Sequence, residues 1–405
     1  MTGAQPVTRR RRDRKAQLAE LAADLFRRNG YHAVGIGDIA AAAGITGPAV
    51  YRHFSSKQEI LGHVLLAGVD HLTATITEIL DRGGAAEQRL PALTEAFARL
   101  AVERRDAVAL WRWLGRHLAP DQQAEVRRRG DAVLQRWTEE LRTVRPQLSD
   151  EDAELLCRAA MGVFGSPANY QVTLGKSRYG ALLRELAGAV LACELPPPGD
   201  GPSSSPETVT AGSLASRREV LLTEATRLFR RRGYHAVTME EIGAAAGIAG
   251  PSVYRHFASK ADLMKAASSR MVDRLMLGAA QATAGAADAG EALDRLIDSY
   301  AETVLAHRDL MAVYMAEVAG LPPLERAELQ RPQRAYVADW VRLVGATDPR
   351  LEPAESRVVV HAALTLATDL ARTGRLLHRS GLRAEIATLM RAVAHRGDPA
   401  AVSGL

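Results

Sequence analysis

The spacing of apolar residues near the start of the chain predicts an amphipathic helix. Leu18, Leu21, Leu25 and Phe26 lie on one face of a helix with 3.6 residues per turn. Gly30 follows shortly afterwards, and glycine commonly ends a helix because it adopts positive φ without strain. The stretch therefore predicts a first helix that buries one face and stops just before Gly30.

Two shorter helices follow, separated by a tight turn. Residues 39–43 are small and apolar, and Gly44 ends the helix that they form. Thr46 is placed to cap the next helix, in which Val50 and Phe54 lie four residues apart and face inward. Two short helices joined by a short turn that contains glycine are typical of a helix-turn-helix. The second helix of that motif lies in the major groove of DNA.

The same pattern occurs a second time, 203 residues later. Residues 25–61 read LFRRNGYHAVGIGDIAAAAGITGPAVYRHFSSKQEIL, and residues 228–264 read LFRRRGYHAVTMEEIGAAAGIAGPSVYRHFASKADLM. Without any gap, 24 of these 37 positions are identical. A repeat with this period is as large as a domain. We therefore expect two complete copies of one protein, joined end to end in a single chain of 405 residues.

The stretches AAAGITGPAVYRHFSSKQEIL and AAAGIAGPSVYRHFASKADLM resemble the head of the tetracycline-repressor (TetR) family of bacterial regulators. The resemblance implies an all-α fold. It also implies that each copy has a three-helix head, which contains the helix-turn-helix, and a helical domain for effector binding and dimerisation. Tandem members, with two such units in one polypeptide, are a known minority type of the family.

Composition and turn residues set the predicted boundaries of the two copies. The segment PPPGDGPSSSPETVTAGS, residues 196–213, is predicted to be the linker between them. The other predicted segments are a disordered tail over 1–8, a first head over 9–55, a first helical domain over 56–195, a second head over 214–258, a second helical domain over 259–395 and a tail over 396–405.

The resemblance carries a set of DNA-binding residues onto both heads. In the family, the tyrosine of the YRHF run and the lysine after it contact the phosphate backbone. A basic arm before the first helix is predicted to neutralise phosphates or enter a minor groove, and a solvated helix start is the alternative. The prediction for the first head is Arg9, Arg10, Arg12, Thr46, Gly47, Pro48, Ala49, Tyr51, Arg52, His53 and Lys57. The prediction for the second head is Arg217, Thr238, Ala249, Gly250, Pro251, Ser252, Tyr254, Arg255, His256 and Lys260.

The differences between the heads fall at positions predicted to read bases. Gly35, Thr46 and Ala49 of the first head are replaced by threonine, alanine and serine in the second. Phosphate contacts position a protein on DNA, whereas contacts to base edges specify the sequence. We therefore expect the heads to read similar but unequal half-sites of an imperfect palindrome.

The charge of the chain is modest overall but concentrated in the heads. The net charge is +5 at pH 7. Residues 1–62 carry ten Lys or Arg against five Asp or Glu, and residues 214–265 carry nine against five. The remainder is therefore negative. Positive charge on the two heads is the electrostatic pattern expected of DNA binding.

Several other classes of protein are disfavoured by the sequence. No run approaches 18 uncharged apolar residues, so no membrane span is predicted, and the basic N-terminus lacks the apolar segment of a secretory signal. The two cysteines, Cys157 and Cys193, are interpreted as reduced, buried thiols of a cytoplasmic protein. No nucleophile–base pair, phosphate-binding glycine loop or metal-ligand spacing appears, so neither enzymatic activity nor a cofactor nor a metal site is predicted.

In the family, the helical domain encloses a ligand cavity. Aromatic and other bulky residues at helical spacing are candidates to line it, and plain core packing is the alternative for each of them. The candidates are Trp111, Leu114, His117, Trp137, Phe164, Tyr170, Tyr300, Tyr314, Met315, Tyr336, Trp340 and His361. Their apolar character favours a lipid, an acyl-CoA, or a steroid-like or drug-like effector.

The predicted mechanism is that of a repressor released from its operator by the effector. The two copies are expected to pair with each other through their C-terminal helices as an intramolecular pseudo-dimer. A homodimer with four heads is the quaternary alternative. A ligand-independent activator or an architectural protein that bridges DNA is the functional alternative.

Overall fold

The computed structural model is helical wherever it describes regular structure. It describes residues 5–29, 31, 34–103, 105, 118–168, 170, 172–197, 216–234, 236–248, 250–317 and 323–396. These residues contain no β-strand, which confirms the all-α prediction.

The first sequence copy contributes eight helices among the described residues. They are α1 (Gln5–Asn29), α2 (Ile36–Ala42), α3 (Gly47–Tyr51), α4 (Lys57–Asp81), α5 (Ala86–Glu103), α6 (Pro120–Val144), α7 (Asp150–Gly165) and α8 (Lys176–Ala192). The predicted disordered tail over residues 1–8 is wrong for residues 5–8, because α1 begins at Gln5. Pro6 lies in the first turn of that helix, where its missing N–H leaves no intrahelical hydrogen bond unmade.

The second sequence copy contributes nine α-helices among the described residues. They are α9 (Arg217–Arg232), α10 (Met239–Ala245), α11 (Gly250–Val253), α12 (Lys260–Thr283), α13 (Ala289–Ala306), α14 (Arg308–Glu317), α15 (Pro323–Thr347), α16 (Pro353–Arg372) and α17 (Leu382–Ala394). Most of the predicted linker, from residue 198 to residue 213, lies outside the described residues.

By its internal contacts, the chain forms two compact units. Unit 1 comprises Met1–Cys157, Pro167–Gln171 and Gly175–Arg184, and unit 2 comprises Arg158–Ser166, Val172–Leu174 and Glu185–Leu405. The ends of α7 and α8 therefore pack with the second sequence copy. The boundaries predicted from the repeat describe the duplication, whereas the units describe the packing.

Local capping explains how each head is built. Gly44 and Gly247 end α2 and α10 with φ of 64° and 66°, in the left-handed region that favours glycine. The Ser56 and Ser259 hydroxyls each accept a hydrogen bond from a backbone N–H three residues later, at 3.1 Å. These caps start α4 and α12 directly after each helix-turn-helix.

Helix α4 connects the first head to the helical domain. It buries Ile60, Leu61, Leu65 and Val69 and packs against α1, α5 and α6. By length and composition alone, with a mean hydropathy of 1.3, it qualifies as a candidate membrane span. A third of that apolar window is buried inside the structure, and a single helix of this kind is weak evidence for a membrane span.

The interior of unit 2 is organised around α16. Fifteen of its twenty residues are buried, so the helix is surrounded by other elements on all sides. On one side the end of α7 approaches so closely that a Cβ placed on Gly162 would lie 2.6 Å from the Cα of Leu366. Elsewhere in the unit, Glu185 of α8 accepts a hydrogen bond of 2.8 Å from Arg396, which follows α17. Residues of both sequence copies thus share this unit.

Candidate nucleic-acid interface

The reading helix of the first head presents polar side chains outward and apolar ones inward. Val50 and Phe54 are buried, as their four-residue spacing predicted. Tyr51 is 57% exposed, and Arg52 beside it is also exposed. Of the other predicted residues, Thr46 and Pro48 are exposed, and Gly47, Ala49 and His53 are half-buried. The tyrosine and the arginine therefore lie on the outer surface of the head.

The second head repeats this division between inner and outer residues. Val253 and Phe257 are buried, whereas Tyr254 is 49% exposed. Arg255 is exposed, and Ser252 and His256 are half-buried. Ala249 and the side chain of Pro251 lie outside the described residues, and Gly250 begins α11.

The predicted phosphate-binding lysines have protein partners that the sequence did not reveal. The Lys57 ammonium donates to the carbonyl oxygens of Tyr31 and Val34 at 2.7 and 2.8 Å, and lies 4.3 Å from the centre of the Tyr31 ring. Burial lowers the pKa of Lys57. The ammonium thus joins the start of α4 to the loop between α1 and α2, and its contact with phosphate stays a prediction.

Lys260 repeats this arrangement in the second head. Its ammonium donates to the carbonyl oxygens of Tyr234 and Val237, both at 2.8 Å, and lies 4.5 Å from the centre of the Tyr234 ring. The sequence signal for this pair of contacts was present, because the lysine and the YHAV run occur in both copies at the same separation.

A second cation in each head lies over the buried phenylalanine. The Lys15 ammonium is 4.6 Å from the centre of the Phe54 ring, and the guanidinium carbon of Arg218 is 4.0 Å from the centre of the Phe257 ring. Cations favour the face of an aromatic ring because of its quadrupole. Neither Lys15 nor Arg218 was among the predicted binding residues, although their match at the repeat offset was visible in the sequence.

The remaining predicted residues lie at the beginnings of helices. Arg9, Arg10 and Arg12 lie on α1, and their side chains are outside the described residues. Arg217 is exposed at the first position of α9. The Thr238 hydroxyl caps α10 by accepting a hydrogen bond of 3.2 Å from the N–H of Glu241. These side chains stay predicted DNA contacts.

The duplicated head also matches a protein family. The family model described as bacterial regulatory proteins of the tetR family matches residues 18–64 and again residues 221–267. The chain therefore contains two heads of the TetR family. Both matches contain a complete helix-turn-helix with its outward-facing tyrosine, so the resemblance seen in the sequence is confirmed.

Named relatives of this chain include an activator and a repressor. It is 41% identical over 87 residues to the HTH-type transcriptional activator FasR of Mycolicibacterium smegmatis, covering 22% of this chain and 40% of that protein. It is 32% identical over 131 residues to the HTH-type transcriptional repressor KstR2 of Rhodococcus jostii, covering 32% of this chain and 60% of that protein. The chain therefore spans less than two thirds of either relative. Both are regulators of transcription and not enzymes.

A solved structure is similar over part of the chain. The ketosteroid transcriptional regulator KstR2 of Mycobacterium tuberculosis is 25% identical, with a TM-score of 0.37, and the match covers 41% of this chain and 87% of that one.

The predicted effector-pocket residues divide into three groups. Trp111, Leu114 and His117 lie outside the described residues. In the first copy, Trp137 is buried with its ring centre 4.8 Å from that of Phe97, Phe164 is buried and Tyr170 is half-buried. In the second copy, Tyr314 and His361 are buried and Met315 is half-buried.

Tyr300, Tyr336 and Trp340 form a buried ring cluster in the second copy. Their ring centres are 5.8–6.5 Å apart, and the Tyr300 hydroxyl shares a hydrogen bond of 3.2 Å with that of Thr368. A groove of about 320 Å³ in unit 1 lies elsewhere and has charged walls that include Glu95, Arg99 and Lys176. That groove contains none of the candidates, so their role as a pocket stays a prediction.

Proposed function

We propose that this tandem TetR-family regulator is a repressor whose two heads bind one imperfectly palindromic operator, and that a small apolar effector releases it. The observation that carries the proposal is the duplicated reading helix, with Tyr51 and Tyr254 outward and the phenylalanines inward. Family geometry places two reading helices about 34–36 Å apart in successive major grooves. Base-edge hydrogen bonds have short reach, so a small change in head spacing would be enough for release.

The proposed pairing is between the two copies within one chain. Its support is the shared unit 2, where Gly162 of the first copy lies against Leu366 of the second without room for a Cβ. The Arg396 guanidinium is 2.8 Å from Glu185, and its side chain is only 9% exposed. Tethered heads need no second chain, so pairing does not depend on protein concentration.

Two substitutions of glycine test this pairing. Gly162→Ala is expected to weaken operator binding and thermal stability, because the added methyl meets the backbone of α16. Gly188→Ala is the matched control, since nothing lies within 4 Å of a Cβ at that helical position. Equal behaviour of the two variants would contradict the proposed contact.

Solution mass separates the proposed state from the four-headed homodimer. A single chain has a mass of 43.6 kDa, and sedimentation equilibrium on the free protein and its DNA complex is expected to give one chain per duplex. A particle of twice that mass would contradict the pseudo-dimer and support the homodimer with four heads.

DNA binding is tested by selecting duplexes from a random library with the full chain. The expected result is two related, unequal half-sites about one helical turn apart. Tyr51→Phe is expected to weaken binding by roughly 10- to 150-fold, because a hydrogen bond to a charged group is worth about 1.5–3 kcal/mol. Tyr254→Phe is expected to weaken binding as well. The absence of any enriched sequence would overturn the proposal, and a perfect inverted repeat would overturn its asymmetric part.

The direction of regulation needs a separate measurement, since the relative FasR is called an activator. Transcription from the selected operator in a purified system is expected to fall when the protein is added. It is expected to recover with an apolar effector, because effector and DNA must weaken each other's binding equally. Increased transcription, or repression that no lipid or acyl-CoA relieves, would favour the activator or architectural alternative.

A further inference from the structure

The two heads differ in charge beside the reading helix. In the first head, residue 37 is glycine, and nothing lies within 4 Å of where its Cβ would be. The equivalent residue of the second head, at the repeat offset, is the exposed Glu240 of α10. Between residues 238 and 257 the second helix-turn-helix thus carries one more negative charge than the first carries between 35 and 54.

This carboxylate has a specific partner. The Tyr254 hydroxyl donates a hydrogen bond to Oε1 of Glu240 at 3.3 Å. The Glu240 carboxylate raises the pKa of Tyr254, which is the direction expected when a negative charge faces a phenol. Tyr51, the equivalent tyrosine, has a glycine in place of this acid.

A tyrosine hydroxyl has one hydrogen and donates to one acceptor at a time. A DNA phosphate that accepts it must therefore displace Glu240. A phosphate oxygen about 2.7 Å from that hydroxyl would lie within about 6 Å of the carboxylate oxygen, which is close enough for two negative charges to repel. At that separation in water, Coulomb repulsion corresponds to about a threefold loss of affinity.

We propose that Glu240 makes the second head the weaker DNA-binding head, by holding the Tyr254 hydroxyl and placing a carboxylate where a phosphate would bind. The inference rests on the proposed function, because it assumes that Tyr51 and Tyr254 face DNA. The first head then anchors the protein on the operator, and the second head discriminates among half-sites with little excess affinity.

The chain offers a reciprocal pair of variants for the test. Glu240→Gln keeps a hydrogen-bond acceptor for Tyr254 but removes the charge. Gly37→Glu transplants the charge into the first head, where space is open, and Gly37→Gln is its neutral control. Thermal melting of each full-length variant checks that the fold is kept.

The probes are duplexes selected by the wild-type chain, with one or the other half-site scrambled. Fluorescence anisotropy is expected to show that Glu240→Gln tightens binding three- to tenfold on the duplex that keeps the half-site of the second head. Gly37→Glu is expected to weaken binding by a similar factor on the duplex that keeps the half-site of the first head. Gly37→Gln is expected to leave binding to that duplex unchanged. Both effects should shrink as salt rises from 50 to 300 mM, because exposed charges are screened.

Two results would overturn the proposal while leaving DNA binding intact. Glu240→Gln with unchanged affinity would show that the carboxylate has no influence on the interface. Weaker binding with relaxed preference at a single cytosine would show instead that Glu240 reads a base, since carboxylates accept from the cytosine amino group. Failure of the wild-type chain to select any duplex would contradict the proposed function itself.

Discussion

In the first head the cation over the central phenylalanine is the ammonium of Lys15, whereas in the second it is the guanidinium of Arg218. Lys15 also pairs with Glu59 at 3.2 Å, and Arg218 donates to the carbonyl oxygen of His256 at 2.6 Å. A cation thus lies over the equivalent phenylalanine ring in both heads, but its other partner differs between the heads.

The second head is also more firmly held at the start of its second helix. In the first head, Asp38 accepts a hydrogen bond from the N–H of Gly35 at 2.7 Å. In the second head, Thr238 and Glu241 cap each other reciprocally, and Arg232 donates to Glu241 at 2.7 Å. The two heads thus have the same core residues, whereas the polar contacts at their edges have diverged.

The largest expected effect tests whether the two equivalent cores stabilise their heads independently. Phe54→Ala and Phe257→Ala each remove a buried ring and the surface on which a cation rests. Each is expected to destabilise its own head by about 3–5 kcal/mol. Hydrogen exchange of α1 and α9 amides should show the loss confined to the substituted copy. Equal loss of protection in both copies would show that the heads do not unfold independently.

The next effect concerns the lysines that donate to loop carbonyls. Lys57→Met and Lys260→Met keep the aliphatic stem but lose the two ammonium–carbonyl hydrogen bonds. We expect each to destabilise its head by about 1.5–3 kcal/mol, the range for hydrogen bonds to charged groups. Chemical denaturation in the absence of DNA measures this directly. Unchanged stability would show that these lysines matter through phosphate contact alone.

The sequence was sufficient for the helix-turn-helix and for its inner and outer faces. The four-residue spacing of Val50 and Phe54 predicted their burial, and the turn glycine at position 44 predicted the end of α2. Pro120 and Pro353 begin α6 and α16, at the first helical position, where the missing N–H of proline leaves no intrahelical hydrogen bond unmade. These features are local, and local pattern determines them.

Contacts between separate elements were not predictable in this way. The partners of Lys57 are loop carbonyls whose direction depends on how the chain leaves α1. The bond between Glu240 and Tyr254 depends on the angle between two short helices. The packing of Gly162 against Leu366 joins residues of different copies, and a repeat in sequence does not specify its packing partner.

A smaller effect tests the difference in capping. Thr238→Gly gives the second head the residue of the first, and Gly35→Thr does the reverse. Thr238→Gly is expected to cost no more than about 1 kcal/mol, since glycine is itself a tolerated cap. Gly35→Thr is expected to stabilise the first head by a similar or smaller amount. Thermal melts of both variants measure this. Stabilisation by Thr238→Gly, or destabilisation by Gly35→Thr, would contradict the capping argument.

The smallest effect is a difference in pH dependence. His63 of α4 lies with its ring centre 5.6 Å from that of Phe54, and the equivalent residue of the second copy is Ala266. Burial, with a further contribution from Lys15, lowers the pKa of His63 below its usual value of 6.5. The unfolded first head therefore binds a proton more readily than the folded one.

Stability of the first head should then fall as the pH drops below about 6.5, where the unfolded histidine becomes protonated first. Between pH 7.5 and 5.5, carboxylates with pKa values near the ordinary 4.5 stay ionised and contribute little to the change in stability. Hydrogen exchange of α1 relative to α9 across this range is expected to show the first head opening more at the acidic end. His63→Ala should remove the difference, because it gives the first head the residue of the second. A difference that survives this substitution would place the acid sensitivity in another group.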